Sequence, residues 1–226
     1  MIELRTLRDG GQDPAEIAQA LIAFFAAARS SLHAAVYDIR VSDEVEARGR
    51  AELRKVAAEG VDVRLVYELD DEARDPLPAP PRTNPAEVEA ERFPSHGVSA
   101  RDGLMHHKYI VRDGHTVWTG SMNWTEDSWR RQENVVVVIE SEALARAYAL
   151  NFDELWKAKT VRPTGAVQPR EVDVGGAAVR AWFCPGHGEA LAHRIAKHIG
   201  KARRRVRIAS PVLTSGPILG TLVEVV

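Results

Sequence analysis

The chain has 226 residues, 45% hydrophobic and 27% charged, the composition of an ordinary globular protein rather than a disordered one, with length for one large domain or one and a half smaller ones. Its formal net charge of -2 supplies no global basic field, so a nucleic-acid partner must be argued from a site rather than from charge. The single cysteine, Cys184, excludes an internal disulfide and any multi-cysteine zinc site. No apolar run reaches the ~18 residues of a membrane span, and the opening MIELRTLRDGG lacks a secretory pattern, so a cytoplasmic location is expected.

In chain order, residues 2–7 alternate like a short strand. Asp13 followed by Pro14 marks a helix start, and Ile17, Leu21, Phe24, Phe25 and Ala28 recur at helical spacing. SLHAAVYDI (31–39) reads as a buried strand, residues 44–60 as a helix closed by Gly60, and VDVRLVYE (61–68) as another strand. Strand, helix, strand of these lengths predicts a parallel pairing. Residues 70–103, rich in Pro and acidic side chains, read as one long loop facing a substrate. Residues 134–140 give a further strand and 141–158 a helix capped by Ser141.

Beyond residue 159 the stretch 160–177 reads as a linker. Residues 191–209 then match 17–35 at a constant offset of 174, pairing Leu21 with Ile195, Arg29 with Arg203 and Leu32 with Val206. Both copies read as a helix running into a buried strand, so 1–159 is one full repeat and 178–226 the start of a second.

The chemistry concentrates in LMHHKYIVRDGHTVWTGSMNWT, residues 104–125. If 104–112 is a strand, His106 and Lys108 share one face while His107 and Tyr109 share the other. Asp113-Gly114 predicts a tight turn, after which Gly120, Ser121 and Asn123 return antiparallel to the level of His106 and Lys108. An imidazole, an ammonium, a hydroxyl and a carboxamide, beside a glycine that admits a ligand to the backbone, suit a phosphate group. Lysine and asparagine balance the charge of a pentacoordinate phosphorus, and a neutral imidazole can attack it.

Spaced as His106-x-Lys108-x4-Asp113-x6-Gly120-Ser121-x-Asn123, these residues match the HxKx4Dx6GSxN signature at every fixed position, and the chain thereby resembles the phospholipase D superfamily. Glu133 before a strand, and YALNFDELW on the next helix, look like the superfamily's small bacterial endonucleases and mitochondrial phosphodiesterases more than its cardiolipin synthases. The resemblance implies an α/β fold with a mixed, mostly parallel sheet flanked by helices. It also implies a metal-independent phosphodiesterase that needs no cofactor, with His106 as nucleophile through a phosphohistidine. Lys108, Gly120, Ser121 and Asn123 would line the phosphate site, Glu133 would fix the histidine's tautomer, and Asp113 belongs to the catalytic signature although it is more often a turn residue. The mechanism takes two HxK motifs, and this sequence contains one. The second is expected from a C-terminal repeat or from a homodimer partner, the former being favoured.

Nucleic acid is the favoured substrate, motivated by the sequence after Asn123. A phospholipase or phosphatidyltransferase, and an inactive half-site serving assembly, are the alternatives. Elsewhere His107 is expected in the core and His115 at a surface turn, and a zinc site from His106, His107 and His115 is disfavoured because 106 and 107 diverge. Trp118, Trp124 and Trp129 read as core or rim, the latter two as candidates for the neighbourhood of the site, and the basic run 201–207 as a solvated element end.

Overall fold

The computed structural model describes residues 1–40, 44–69, 83–210 and 212–225. The leading elements are β1 (Ile2–Leu7), α1 (Pro14–Ala26), β2 (Ser31–Val36), α2 (Glu44–Ala58) and β3 (Asp62–Leu69). Next come α3 (Pro85–Glu89), β4 (Ser95–Ser99), β5 (Lys108–Arg112), β6 (Thr116–Gly120), α4 (Glu126–Arg130), β7 (Asn134–Glu140) and α5 (Glu142–Ala158). The remainder comprises a hairpin of β8 (Glu171–Val174) and β9 (Ala177–Arg180), then α6 (Gly188–Gly200) and α7 (Gly216–Val225).

Local chemistry sets these boundaries. Asp13 accepts the Ala15 N–H at 2.8 Å with Pro14 at the first helical position, and the Ser141 hydroxyl caps α5 at the Leu144 N–H. Asp113 and Gly114 both take positive φ, 54° and 62°, which gives the β5–β6 turn its tight reversal.

Among the described residues, seven strands form one sheet in the order β1-β7-β6-β5-β2-β3-β4. The β2–β3 and β3–β4 pairings are parallel, as strand-helix-strand predicts, whereas the other four are antiparallel. The sheet is therefore mixed and flanked by helices as expected, but antiparallel pairing dominates, because the β5–β6 hairpin, β7 and β1 all join by reversal.

Alternating side chains divide the core. Leu32, Val36, Ile110 and Trp118 pack under α1 and α2 against Phe24, Phe25 and Leu53, while Ala35, Val66, Tyr109 and Val117 pack under α5 against Phe152 and Leu155. The buried Tyr109 hydroxyl donates to Asn151 Oδ1 at 2.9 Å, tying β5 to α5.

Three expectations change. Residues 83–103 are not loop: they form α3 and the edge strand β4, while 70–82 lie outside the described residues. The stretch 160–177 holds β8 and packs on α5, with Val161, Thr164 and Val174 buried and the Glu154 carboxylate accepting from the Gly165 and Ala166 N–H groups. An offset of 174 carries α1 onto α6 residue for residue, yet the counterpart of β2, 205–210, is exposed and makes no strand. In the first copy that strand is held between β3 and β5, and no described strand flanks 205–210.

Candidate functional site

β2, β3 and β6 end, and β5 and β7 begin, at the same edge of the sheet. That edge gathers Tyr37 and Asp38 after β2, Glu68 as the penultimate residue of β3, His106 and Lys108 ahead of and at the start of β5, Ser121 and Asn123 after β6, and Glu133 before β7. The loops interlock: Trp124 N–H donates to the Asp38 carbonyl and Arg40 N–H to the Trp124 carbonyl, both at 3.0 Å, so the chain after Asn123 lies against the chain after Tyr37.

Regular pairing of β5 starts at Lys108, not at residue 104. Upstream, Met105 N–H goes to Glu68 Oε2 at 2.7 Å and His106 N–H to the Leu104 carbonyl at 3.0 Å, so these groups leave the ladder. His106 and Lys108 nevertheless meet. Lys108 Nζ donates to the His106 carbonyl at 2.9 Å and lies 4.6 Å from the centre of the Tyr37 ring, whose centroid is 4.7 Å from that of His106. Tyr37 thus touches both the imidazole and the ammonium. His107 turns the other way, against Tyr109 and Phe183, as the alternation predicts.

The electrostatics follow from burial. Lys108 is 8% exposed, and burial pushes its ammonium down to about 7 against the opposing carboxylates of Asp38 and Glu68. His106 is exposed as a residue, yet enough protein surrounds its ring that partial burial, and then the Lys108 charge, lower its pKa below 6.5. At neutral pH this imidazole is unprotonated, the form that can act as a nucleophile. His107, deeper still, is pushed down to about 4 by burial, then by the Lys108 charge and by His106 once it is protonated.

The remaining signature residues divide. Asn123 stands beside the interlocked loops with its amide oxygen buried and lacking a hydrogen-bond partner. A half-turn of that amide exchanges Oδ1 for Nδ2 and presents two donors to an anion. The Ser121 hydroxyl donates to Asn134 Oδ1 at 2.8 Å and accepts the Val135 N–H at 3.0 Å, so it fastens the loop to β7. Gly120 serves that same approach: with φ at 154°, an added Cβ would collide with the Val135 carbonyl, so the close neighbour is a strand rather than a ligand.

Asp113 sits at the far end of β5, five residues from Lys108 and so about 16 Å away. It accepts the N–H groups of Arg29, Ser30 and Ser31 at 2.7–3.1 Å and pins the α1–β2 connection to the hairpin. Partial burial would raise its pKa, but the N–H donors of Ser31, Ser30 and Arg29 bring it below the usual carboxylate range. A catalytic placement of Asp113 is therefore corrected to a structural one. Glu133 lies at the site end of β7 but is exposed and makes no hydrogen bond or ion pair among the described residues, so it is not joined to His106.

Trp118, Trp124 and Trp129 are core: Trp118 packs edge-on to Phe24 and Trp124 to Phe25, while buried Trp129 donates its indole N–H to the Asn123 carbonyl at 2.9 Å. Trp129 thereby supports Asn123 from behind. His115 is exposed at the far turn, and no metal-binding cluster exists among the described residues. Lys201, Arg203, Arg204, Arg205 and Arg207 are solvent-exposed. No described helix is long and apolar enough to cross a membrane.

Tyr37, Asp38 and Glu68 were not singled out from the sequence. The signal available was their position: each stands at the carboxyl end of a parallel strand, where open α/β sheets place ligands, and Asp38 and Glu68 are charges closing apolar runs.

Residues 21–156, more than half of the chain, match the family model described as "Cardiolipin synthase, PLD-like domain". Mitochondrial cardiolipin hydrolase of Xenopus laevis is 36% identical over 67 residues, covering 28% of this chain and 32% of that protein, and the Chlamydomonas reinhardtii protein of the same name is 30% identical over 70 residues. The chain thus spans about a third of the length of these curated relatives. The phospholipase D family member Nuc from Salmonella typhimurium superposes with a TM-score of 0.51 at 22% identity over 70% of this chain and 94% of that one. NucT from Helicobacter pylori gives 0.51 at 15% identity over 70% and 98%. These two likenesses carry the fold. With the signature and the family match together, the chain belongs to the phospholipase D-like family, a family of phosphodiesterases.

Proposed function

We propose that this chain carries one HxK half of a metal-independent phosphodiesterase centre that works through a phosphohistidine at His106. What supports this is the juxtaposition at one sheet edge of an unprotonated imidazole, a buried ammonium and an unpartnered carboxamide, His106, Lys108 and Asn123. A ring nitrogen of His106 forms the N–P bond as the P–O bond to the leaving group breaks. Lys108 and Asn123 hold the non-bridging oxygens, whose charge grows in the transition state. Ser121 acts through the loop it fastens. Water then attacks phosphorus and releases the histidine.

An ordinary alkoxide leaving group needs a proton, and the described residues offer no second histidine for it on this face of the sheet. His107 points into the opposite core and stays neutral down to about pH 4. The acid is therefore assigned to a second HxK motif, from a C-terminal repeat or a second copy of the chain.

Nucleic-acid phosphodiesters are the proposed substrate, on the strength of the sequence following Asn123. Phospholipid is the second reading, favoured by the relatives named cardiolipin hydrolases. The test offers fluorescent single-stranded DNA and RNA, and vesicles containing cardiolipin, in EDTA. The proposal expects cleavage of nucleic acid that His106→Asn abolishes. Release of phosphatidic acid alone moves the assignment to lipid, and activity that EDTA removes overturns the mechanism.

A further inference from the structure

The backbone donors around His106 lead to a residue outside the signature. Ahead of β5, the buried Met105 N–H is met by Glu68 Oε2 at 2.7 Å, and the next N–H, of His106, closes a three-residue turn on the Leu104 carbonyl. The His107 carbonyl is held by the Tyr37 N–H at 2.8 Å. Met105 is 0% exposed, so its N–H has no water to replace the carboxylate. Glu68 is 3% exposed and follows the buried Leu65, Val66 and Tyr67 of β3, a position where a carboxylate persists only with compensating partners.

We infer that Glu68 is a positioning residue for the His106–Lys108 pair: its carboxylate holds the Met105 turn that aims His106, and its negative charge stabilises the buried Lys108 ammonium. The inference rests on the phosphodiesterase reading for its catalytic consequence, though its electrostatic part stands apart from catalysis. Facing Lys108 are Asp38 from beyond β2, Glu68 from β3, the Tyr37 ring, and His106 and His107 from its own segment. Burial drives the ammonium down, and of these neighbours the two carboxylates oppose that. Asp38 is shared with Arg40, whose Nε reaches Asp38 Oδ2 at 3.0 Å. Glu68 also grips the backbone one residue before the nucleophile.

Two variants separate the parts. Glu68→Gln keeps the shape and an oxygen for the Met105 N–H but removes the charge; Glu68→Ala removes both. Lys108 is titrated by NMR in protein carrying 13C-labelled lysine, its resonance assigned with Lys108→Arg, and kcat and KM are followed against pH with bis(p-nitrophenyl) phosphate. In Glu68→Gln the Lys108 titration is expected to fall by about one pH unit, carrying the basic limb of kcat/KM with it. In Glu68→Ala, kcat is expected to fall by a further factor of about 10 or more as His106 loses its aim. Lys108 titrating at the wild-type pH in Glu68→Gln, or wild-type kcat in Glu68→Ala, overturns the inference. Should the wild type leave the diester intact, the phosphodiesterase reading is what fails, and the NMR titration alone decides for or against Glu68.

Discussion

Acidification from pH 7 to 4 is expected to unfold this protein partly through His107. Its ring lies 5.4 Å from the Tyr109 ring and 6.4 Å from the Phe183 ring, between the sheet and the segment before α6. Burial, then the charges of Lys108 and His106, press its pKa from 6.5 to about 4. In the unfolded chain the same imidazole titrates near 6.5. Between those values the unfolded state takes up a proton that the native state refuses, so stability is full above pH 6.5 and is lost as the pH falls toward 4. At about 1.36 kcal/mol per pH unit, the interval corresponds to about 3 kcal/mol. Urea unfolding, followed by tryptophan fluorescence at several pH values, measures it against His107→Phe, which fills the aromatic slot without titrating. Wild type should lose about 3 kcal/mol more than the variant across the interval. Parallel losses in the two proteins would refute the reasoning, since carboxylates elsewhere act on both alike.

Other outcomes follow from the same geometry. In EDTA, kcat/KM against pH should be a narrow bell: the acid limb lies below pH 6.5, where His106 gains a proton, and the basic limb near 7, where Lys108 loses one. Lys108→Arg, which cannot deprotonate, should erase the basic limb from whatever activity remains; a surviving limb assigns it elsewhere. Asp113→Ala strips the acceptor from three backbone N–H groups and should cost about 2 kcal/mol in urea unfolding while leaving kcat of the folded protein at the wild-type level. A lost kcat at retained stability would return Asp113 to the site. Gly120→Ala drives a Cβ into the Val135 carbonyl and should lower stability by about 2 kcal/mol or more, an unchanged urea midpoint being the contrary result.

Where a local rule governs, the sequence was readable. Asp13-Pro14 and Ser141 began their helices as caps do, Asp113-Gly114 turned the hairpin, and its register brought Gly120 back beside Lys108. The His106/His107 divergence also followed from alternation, even though regular pairing begins only at Lys108. What escaped depends on partners distant in the chain. Glu68 finds Met105 across 37 positions, and Tyr37 reaches the imidazole and the ammonium only once β2 and β5 pair. Ser121 looked like a phosphate ligand because its tie to Asn134 is a tertiary hydrogen bond that no local pattern encodes. The segment 205–210, Arg-Val-Arg-Ile-Ala-Ser, has a strand's alternation without a strand's neighbours, so local pattern alone did not make it one.

The central claim is that His106 forms a bond to phosphorus. Bis(p-nitrophenyl) phosphate tests it directly, because p-nitrophenolate departs without a proton and a single HxK motif suffices for the first step. Wild-type protein, mixed with the diester in EDTA and quenched in alkali to spare the N–P bond, should release a burst of p-nitrophenolate. Its peptide containing residue 106 should gain the mass of one p-nitrophenyl phosphoryl group, a gain absent from His106→Asn. Release of p-nitrophenolate with no adduct on that peptide, or an adduct that persists in His106→Asn, would contradict the account.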